Sequence, residues 1–297
     1  MLPVGSVTLH PPAKLNLTLE VIRRRPDGYH ELASVVQAID LRDTLEIIRA
    51  GNLSLQCDRQ DLESESNLVL RAARALREAA GVREGARLTL TKRIPVAAGL
   101  GGGSSDAAAA LIGLNHLWGT GLARPRLAEI GGKVGSDVPF FLGSATALVR
   151  GRGDVLFRLP ALAPHIAVIV RPDLAVPADK TRRLYAELNR GDYRRGNATE
   201  ALARGLEAGR PLDPAILVNS FERAARELFP ELGRTVAALV DAEAPWIRLA
   251  GSGPCLYTMF ADDEGGRARA DAVYSRLRAR GVEAYLTRTL EEPPLSV

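Results

Sequence analysis

Four of the five residues from Gly99 to Gly103 are glycine. They stand between a stretch of alternating apolar and polar side chains, Arg87-Leu-Thr-Leu-Thr-Lys92, and an alanine-rich stretch running through Ala107 to about Trp118. Glycine takes positive φ at no steric cost and lets the backbone approach a ligand closely, but it gives up more chain entropy on folding than any other residue. Here it marks a strand-to-helix turn, with Ser104, Ser105 and Asp106 opening the helix, so free N–H groups and the positive end of the helix dipole face the loop. The natural occupant of such a site is an anion, and a di- or triphosphate fits it best. The competing reading is a flexible connection whose serines cap the helix. Two familiar phosphate loops are excluded, because no Gly-Lys-Ser/Thr follows and the third glycine of a GxGxxG pattern falls on Ser104.

The rest of the chain alternates strand and helix patterns. Lys14-Leu-Asn-Leu-Thr-Leu-Glu-Val-Ile22 and Asp43-Thr-Leu-Glu-Ile-Ile48 have strand period, and Asn67 to Ala80 has helical period with Ser66 as its cap and Gly81 as its stop. A helical piece near Leu127 precedes Gly135-Ser-Asp-Val-Pro-Phe-Phe-Leu142, and strands flank Gly151-Arg-Gly153. Beyond Pro160 to Pro164, where periodicity lapses, come the strand Ile166 to Val170, helices around residues 180–240, a strand-turn-strand unit from Trp246 to Phe260, a helix, and a last strand from Val282 to Thr287. Since 297 residues exceed one ordinary core, the mixed strand and helix pattern leaves one large α+β domain or two packed lobes, 1–160 and 161–297, with room for a ligand cleft between them.

Composition removes several classes. A formal charge of +4 comes from Lys and Arg scattered along the chain, and aromatic residues are 5% of it, so no basic stripe interleaved with aromatics marks a nucleic-acid surface. Cys57 and Cys255 form neither a CxxC pair nor a disulfide framework, which points to a reducing cytoplasm. Met1 to Ser6 lacks the regions of a signal peptide, and no apolar run approaches the roughly 20 residues that span a bilayer. His10, His116 and His165 have no companions at ligand spacing, so no protein metal site is expected.

Pro95-Val-Ala-Ala-Gly-Leu-Gly-Gly-Gly-Ser-Ser105, followed by Asp-Ala-Ala-Ala, resembles the ATP loop of the superfamily of galactokinase, homoserine kinase, mevalonate kinase and phosphomevalonate kinase. Pro12-Ala-Lys-Leu-Asn-Leu17 and Leu249-Ala-Gly-Ser-Gly-Pro-Cys255 stand where two further superfamily motifs belong, so the resemblance spans the chain. It implies an N-terminal ribosomal-protein-S5-like lobe that binds ATP and a C-terminal ferredoxin-like lobe on the substrate side. Arg25-Pro-Asp-Gly-Tyr-His-Glu-Leu32 and Gly135-Ser-Asp-Val-Pro-Phe-Phe141 are similar to the branch that phosphorylates the 2-hydroxyl of 4-diphosphocytidyl-2-C-methyl-D-erythritol in the non-mevalonate isoprenoid pathway. Another kinase of the superfamily, acting on mevalonate, phosphomevalonate or homoserine, is one alternative. A nucleic-acid-binding module is the other, since the fold that the resemblance implies is shared with ribosomal and translation-factor domains, though the scattered basic residues speak against it.

The resemblance also implies residue roles. ATP would be held by Pro95, Val96, Ala97, Ala98, Gly99, Leu100, Gly101, Gly102, Gly103, Ser104 and Ser105, with Lys92 and Asn67 lining its pocket and Mg2+ arriving on the nucleotide. Asp137 would be the base and Lys14 its partner, in a turn expected to be buried; on physical grounds alone Asp137 serves equally as a helix cap, and Lys14 as a solvent-facing strand residue. Asn16 shares a face with Lys14 by strand period and would bind substrate or support the lysine. For a substrate with a cytidine diphosphate moiety, Tyr29 would stack on the base, His30 read its edge, and Tyr185 close the other side, unless Tyr185 is simply a core residue of a helix. Gly251, Ser252 and Gly253 would pin the acceptor through backbone N–H groups, or make a plain hairpin turn. Ala97 and Ala98 depart from the glycines that many relatives use. A monomer or homodimer is expected.

Overall fold

The computed structural model describes residues 5–295. Met1–Val4, where the reading of the N-terminus largely rests, lie outside the described residues. The chain begins with β1 (Ser6–Leu9), β2 (Pro12–Arg24), β3 (His30–Arg42), β4 (Thr44–Ala50) and β5 (Ser54–Cys57). Then come α1 (Leu68–Ala80), β6 (Gly85–Thr91), α2 (Gly102–Leu117), α3 (Arg124–Val134), α4 (Val138–Gly143), β7 (Thr146–Gly151) and β8 (Val155–Arg158). The second half holds β9 (His165–Val170), α5 (Lys180–Ala186), α6 (Asn197–Glu207), α7 (Glu222–Leu228), α8 (Leu232–Asp241), β10 (Arg248–Leu249), β11 (Leu256–Ala261), α9 (Glu264–Ala279) and β12 (Ala284–Arg288). No helix among the described residues is long and apolar enough to cross a membrane.

These strands form sheets in the orders β1-β4-β6-β5, β2-β3-β7-β8 and β10-β11-β9-β12. Pairing is antiparallel except between β5 and β6. One core lies between the first sheet and α1 to α4. α1 presents Val69, Ala72, Ala73 and Leu76 to it and leaves Arg71 and Glu78 outside, the ordinary stripe of a surface helix. α2 instead buries every residue from Ser105 to Leu114, because α1, α3 and α4 pack on one side of it and β1 and β4 on another. A second core lies under β9, β11 and β12, against α7, α8 and α9.

A third cluster joins the halves: Leu15, Leu17, Val35 and Ile39 from β2 and β3 meet Ala167, Ile169 and Tyr257 from β9 and β11, and Leu202 and Leu206 from α6. The outer edge of β2 is also hydrogen-bonded by the second half, Leu19 N–H to the Val218 carbonyl at 2.7 Å and Ser220 N–H to the Leu19 carbonyl at 2.8 Å. Tyr257 donates its hydroxyl to the Asn16 carbonyl at 2.9 Å, and its ring meets Trp246 edge-on at 5.7 Å. The passage at 160–164 thus separates the sheets in sequence, while the side chains of the two halves share a core.

Two boundaries differ from the sequence reading. α1 is capped by Asn67, whose side chain accepts from Val69 N–H at 2.9 Å, one residue later than the serine expected. α2 starts at Gly102, inside the glycine run, with Gly101 as its N-cap at φ +72°, so the free N–H groups of its first turn belong to Gly102, Gly103 and Ser104.

Candidate active site

β2 and β3 make a long hairpin with a bulge between Asn16 and Thr18, and such irregularities commonly re-aim side chains beside sites. Before the bulge, the backbone N–H of Lys14 donates to the Leu100 carbonyl at 2.9 Å, tying the strand to the glycine loop. The Lys14 stem lies against Gly101, where an added Cβ would come within 2.9 Å of Cγ. The side chain is 7% exposed, and its ammonium donates to Asn16 Oδ1 at 2.6 Å. Asn16 in turn donates to Ser34 Oγ at 2.8 Å, and Ser34 to the Thr18 carbonyl at 2.5 Å. Lys14 is therefore a held, buried cation and not a solvent-facing strand residue.

Asp137 Oδ2 stands 3.7 Å from Lys14 Nζ, an ion pair without a hydrogen bond. The buried turn expected for Asp137 is corrected: its side chain is 49% exposed, because the apolar residues that follow, Val138, Phe140 and Phe141, turn into the first core and leave the carboxylate at the rim. It occupies the N-cap position of α4 but makes no side-chain cap hydrogen bond. Capping therefore does not use it.

Lys14, Asn16 and Asp137 border a cavity of about 840 Å³, which Tyr29, His30, Tyr185, Gly251 and Ser252 also line, together with Arg24, Arg152 and Arg182. A second cavity, of about 590 Å³, is lined by Asn67, Lys92 and the loop from Pro95 to Ser104. Thr181 and Ser252 border both, so the two adjoin. Ser105 borders neither, and its hydroxyl is buried without a partner. Gly253 borders neither as well; its N–H is taken by the Ala250 carbonyl at 2.7 Å, which leaves none for an acceptor. β10 and β11 do pair as a hairpin, and Gly251 and Ser252 are the part of its turn that faces the cavity.

The loop owes its course to left-handed backbone at Gly99 (φ +82°) and Gly101 (φ +72°). A Cβ on Gly99 would overlap the Ala250 carbonyl oxygen, so the glycine loop and the β10–β11 turn press together there. Ala97 is also left-handed, at φ +56°, a conformation strained for any residue with a Cβ. Below the loop, Lys92 donates to Asp106 Oδ2 at 2.7 Å and to Asp43 Oδ2, while Asp43 Oδ1 accepts from the N–H groups of Arg93 and Ile94 at 2.6 and 2.8 Å. Burial alone would lower the Lys92 ammonium, but Asp106 and Asp43 reverse this and hold it above the ordinary lysine value. Burial pushes Asp106 up to about 8 against the pull of Lys92. Asp106 was read in the sequence only as a residue opening the helix, and Asp43 was not singled out, since nothing there places an acid at 43 beside a lysine at 92.

The tip of the β2–β3 hairpin is closed by Arg25 N–H to the Tyr29 carbonyl at 2.7 Å and by the Arg25–Glu31 ion pair at 2.6 Å, which sets Tyr29 and His30 over the larger cavity. Tyr29 is 58% exposed, with the Arg152 guanidinium 4.8 Å from its ring centre. The His30 ring stacks on Tyr185 at 4.5 Å and 18°, and its Nε2 lies 3.3 Å from the hydroxyl of Tyr193, a residue the sequence did not single out. Burial, with help from the Arg24 charge, lowers His30 below its usual value, which favours the neutral ring. Burial and the nearby Asp137 push Tyr185 up to about 12. Asn219, also unforeseen, donates to the carbonyls of Leu249 and Gly251 at 2.9 and 2.8 Å and so fastens the β10–β11 turn. Among the described residues no three His, Cys, Asp or Glu side chains gather as a metal site.

A phosphate-shaped loop adjoining a cavity with a lysine–carboxylate pair at its rim is the plan of a small-molecule kinase, and the family comparisons agree. The GHMP kinases N terminal domain matches residues 67–144, and the GHMP kinases C terminal family matches residues 197–283. A 4-diphosphocytidyl-2-C-methyl-D-erythritol kinase of Dehalococcoides mccartyi is 42% identical over 284 residues, 96% of this chain and 98% of that protein. The enzyme of that name from Pelotomaculum thermopropionicum is 43% identical over 281 residues, covering 93% and 96%. The crystal structure of a 4-(cytidine 5'-diphospho)-2C-methyl-D-erythritol kinase superposes with a TM-score of 0.77 at 34% identity, covering 95% of this chain and 99% of that one. The chain belongs to the 4-diphosphocytidyl-2-C-methyl-D-erythritol kinase family of the GHMP kinases. It is an ATP-dependent phosphotransferase of α+β fold. A homoserine kinase of Cytophaga hutchinsonii, at 18% identity and a TM-score of 0.68, shares the fold alone.

Proposed function

We propose that the chain transfers the terminal phosphoryl group of ATP to the 2-hydroxyl of 4-diphosphocytidyl-2-C-methyl-D-erythritol, a step of isoprenoid precursor synthesis. The observation that carries this reading is the placement of Lys14: its stem lies on Gly101 of the phosphate loop, and its ammonium faces Asp137 in the adjoining cavity. Phosphoryl transfer needs little beyond alignment and charge stabilisation. With no hydrogen bond across the 3.7 Å between Lys14 and Asp137, the half-exposed carboxylate is free to turn to an incoming hydroxyl. As the acceptor oxygen attacks phosphorus and the bond to ADP breaks, its proton passes to the Asp137 carboxylate. Lys14, aimed by Asn16 and Ser34, offsets the charge on the transferring oxygens. Tyr29, His30 and Tyr185 surround a flat, neutral base, and Gly251 and Ser252 meet the polar remainder of the acceptor.

Magnesium fits as the counter-ion of the nucleotide. Asp106 borders the smaller cavity, and its Oδ1 has no hydrogen-bond partner, so this oxygen would meet an ion carried on the phosphates. Bound there, the ion would neutralise phosphate charge.

ADP release with the purified chain tests the assignment. Turnover with 4-diphosphocytidyl-2-C-methyl-D-erythritol, and none with mevalonate, phosphomevalonate or homoserine, is expected. The reverse pattern would sink the assignment.

A further inference from the structure

Two lysines border the donor cavity among the described residues, and they differ in charge environment. Lys92 is locked between Asp43 and Asp106. Lys180 has no carboxylate within 4.0 Å of its ammonium among the described residues. It is 5% exposed, at the start of α5, and its Nζ donates to the Ala97 carbonyl of the glycine loop at 2.9 Å and to the Gly253 carbonyl of the β10–β11 turn. A buried ammonium answered only by neutral carbonyls is costly. A neutral side chain would bridge the two loops without that cost, so packing alone gives no reason for a charge.

An ammonium carries three N–H donors, and two are engaged here. The glycine loop itself supplies amide dipoles but no cation, since it lacks the lysine that ends a Walker A loop. Lys14 faces Asp137 on the acceptor side. We propose that Lys180, delivered by the second half of the chain, is the phosphate-binding cation of the donor site: it holds the Ala97 and Gly253 loops together and gives its third N–H to a phosphate oxygen of ATP. This rests on ATP occupying the glycine-loop cavity. It makes the donor site a joint product of both halves.

Burial, reinforced by the like charge of Lys14 on β2, lowers the Lys180 ammonium to about 8. Cys255, the other titratable group bearing on it, is itself pushed up to about 12 by burial and so offers no thiolate at neutral pH. On its own helix, Asp179 is paired with Arg182 at 2.7 Å. The free protein therefore loses the charge as pH rises through about 8. A phosphate binds the charged form, so nucleotide affinity falls over the same range.

The test is the affinity for ADP by calorimetry from pH 7.5 to 9.5, where the ionisation of the phosphate itself is complete, in the wild type, Lys180→Gln and Lys180→Met. Gln keeps an amide donor for the carbonyls and removes the charge. We expect wild-type affinity to fall about 10-fold over one pH unit above the lysine value, as one lost proton dictates. Both variants should bind ADP about 10-fold to 100-fold more weakly at pH 7.5, with a shallower alkaline fall than wild type because only Asp106, pushed up to about 8 in the same cavity, still titrates there, while binding cytidine diphosphate within about twofold of wild type. A Gln variant that binds ADP as tightly as wild type, with the same alkaline fall, would overturn the role of Lys180 alone. A wild type that binds cytidine diphosphate but no ADP would overturn the donor site and this inference with it.

Discussion

Asp137 and Lys14 are held in unequal ways, and this sets what each substitution does. Asp137 is half exposed and supports no cap, so Asp137→Asn leaves fold and nucleotide site intact while removing the proton acceptor. Its kcat should fall about 10²-fold to 10⁴-fold with KM for ATP little changed, as steady-state kinetics would read; unchanged turnover would make Asp137 a bystander. Ala97 makes a prediction of the opposite sign. It is exposed and left-handed, so Ala97→Gly gives up no packing and relieves strain worth about 1–2 kcal/mol, against an entropic cost of about 0.5–1 kcal/mol. A net gain of about 0.5–1 kcal/mol should appear as a higher urea midpoint at unchanged m-value. The sequence marked position 97 as a departure from glycine, but its sense emerges only with φ. Lys14, Asn16, Tyr29, His30 and Asp137 were legible because each lies in a short contiguous string. Lys180, Asn219, Asp43 and Tyr193 were not, because each acts on a group between 30 and 163 residues away along the chain.

Elements whose period is their own signal were found from sequence: β2, β4, β6, α1 and β9 fall close to where alternation or helical spacing puts them. The first turn of α2 was not, since Gly102 and Gly103 have poor helix propensity. The space explains the first of these, since a side chain at Gly102 would crowd Ile94 and the Lys92 ammonium. α4, six residues with Pro139 in its first turn, is too short to show a period and was visible in the sequence only as a helix that Asp137 could cap. The contact between the glycine loop and the β10–β11 turn is the most sensitive meeting of two elements in the site. Gly99→Ala combines a left-handed alanine with overlap of the Ala250 carbonyl, and should weaken ADP binding about 10-fold or more in calorimetry while cytidine diphosphate still binds. Equal ADP affinity would show that the two loops part freely.

At the scale of the whole molecule, the sequence separated two sets of strands but could not show that they share side chains, because in the third core β2 and β3 meet strands β9 and β11, which lie more than 120 residues further along the chain. Two cores with such a seam should melt as one, giving equal calorimetric and van't Hoff enthalpies; two resolved transitions would contradict the shared core. Tyr257→Phe, which leaves the buried Asn16 carbonyl without its donor, should cost about 1–3 kcal/mol and lower that single midpoint. The edge-on contact of Trp246 with Tyr257 has an optical consequence. The chain's other tryptophan, Trp118, is buried in the first core with its Nε1–H toward the Gly85 carbonyl, so each indole reports on a different place. With Trp118→Phe and Trp246→Phe as single-emitter variants, intrinsic fluorescence becomes a label-free gauge of whether the first core or the seam loosens earlier under denaturant.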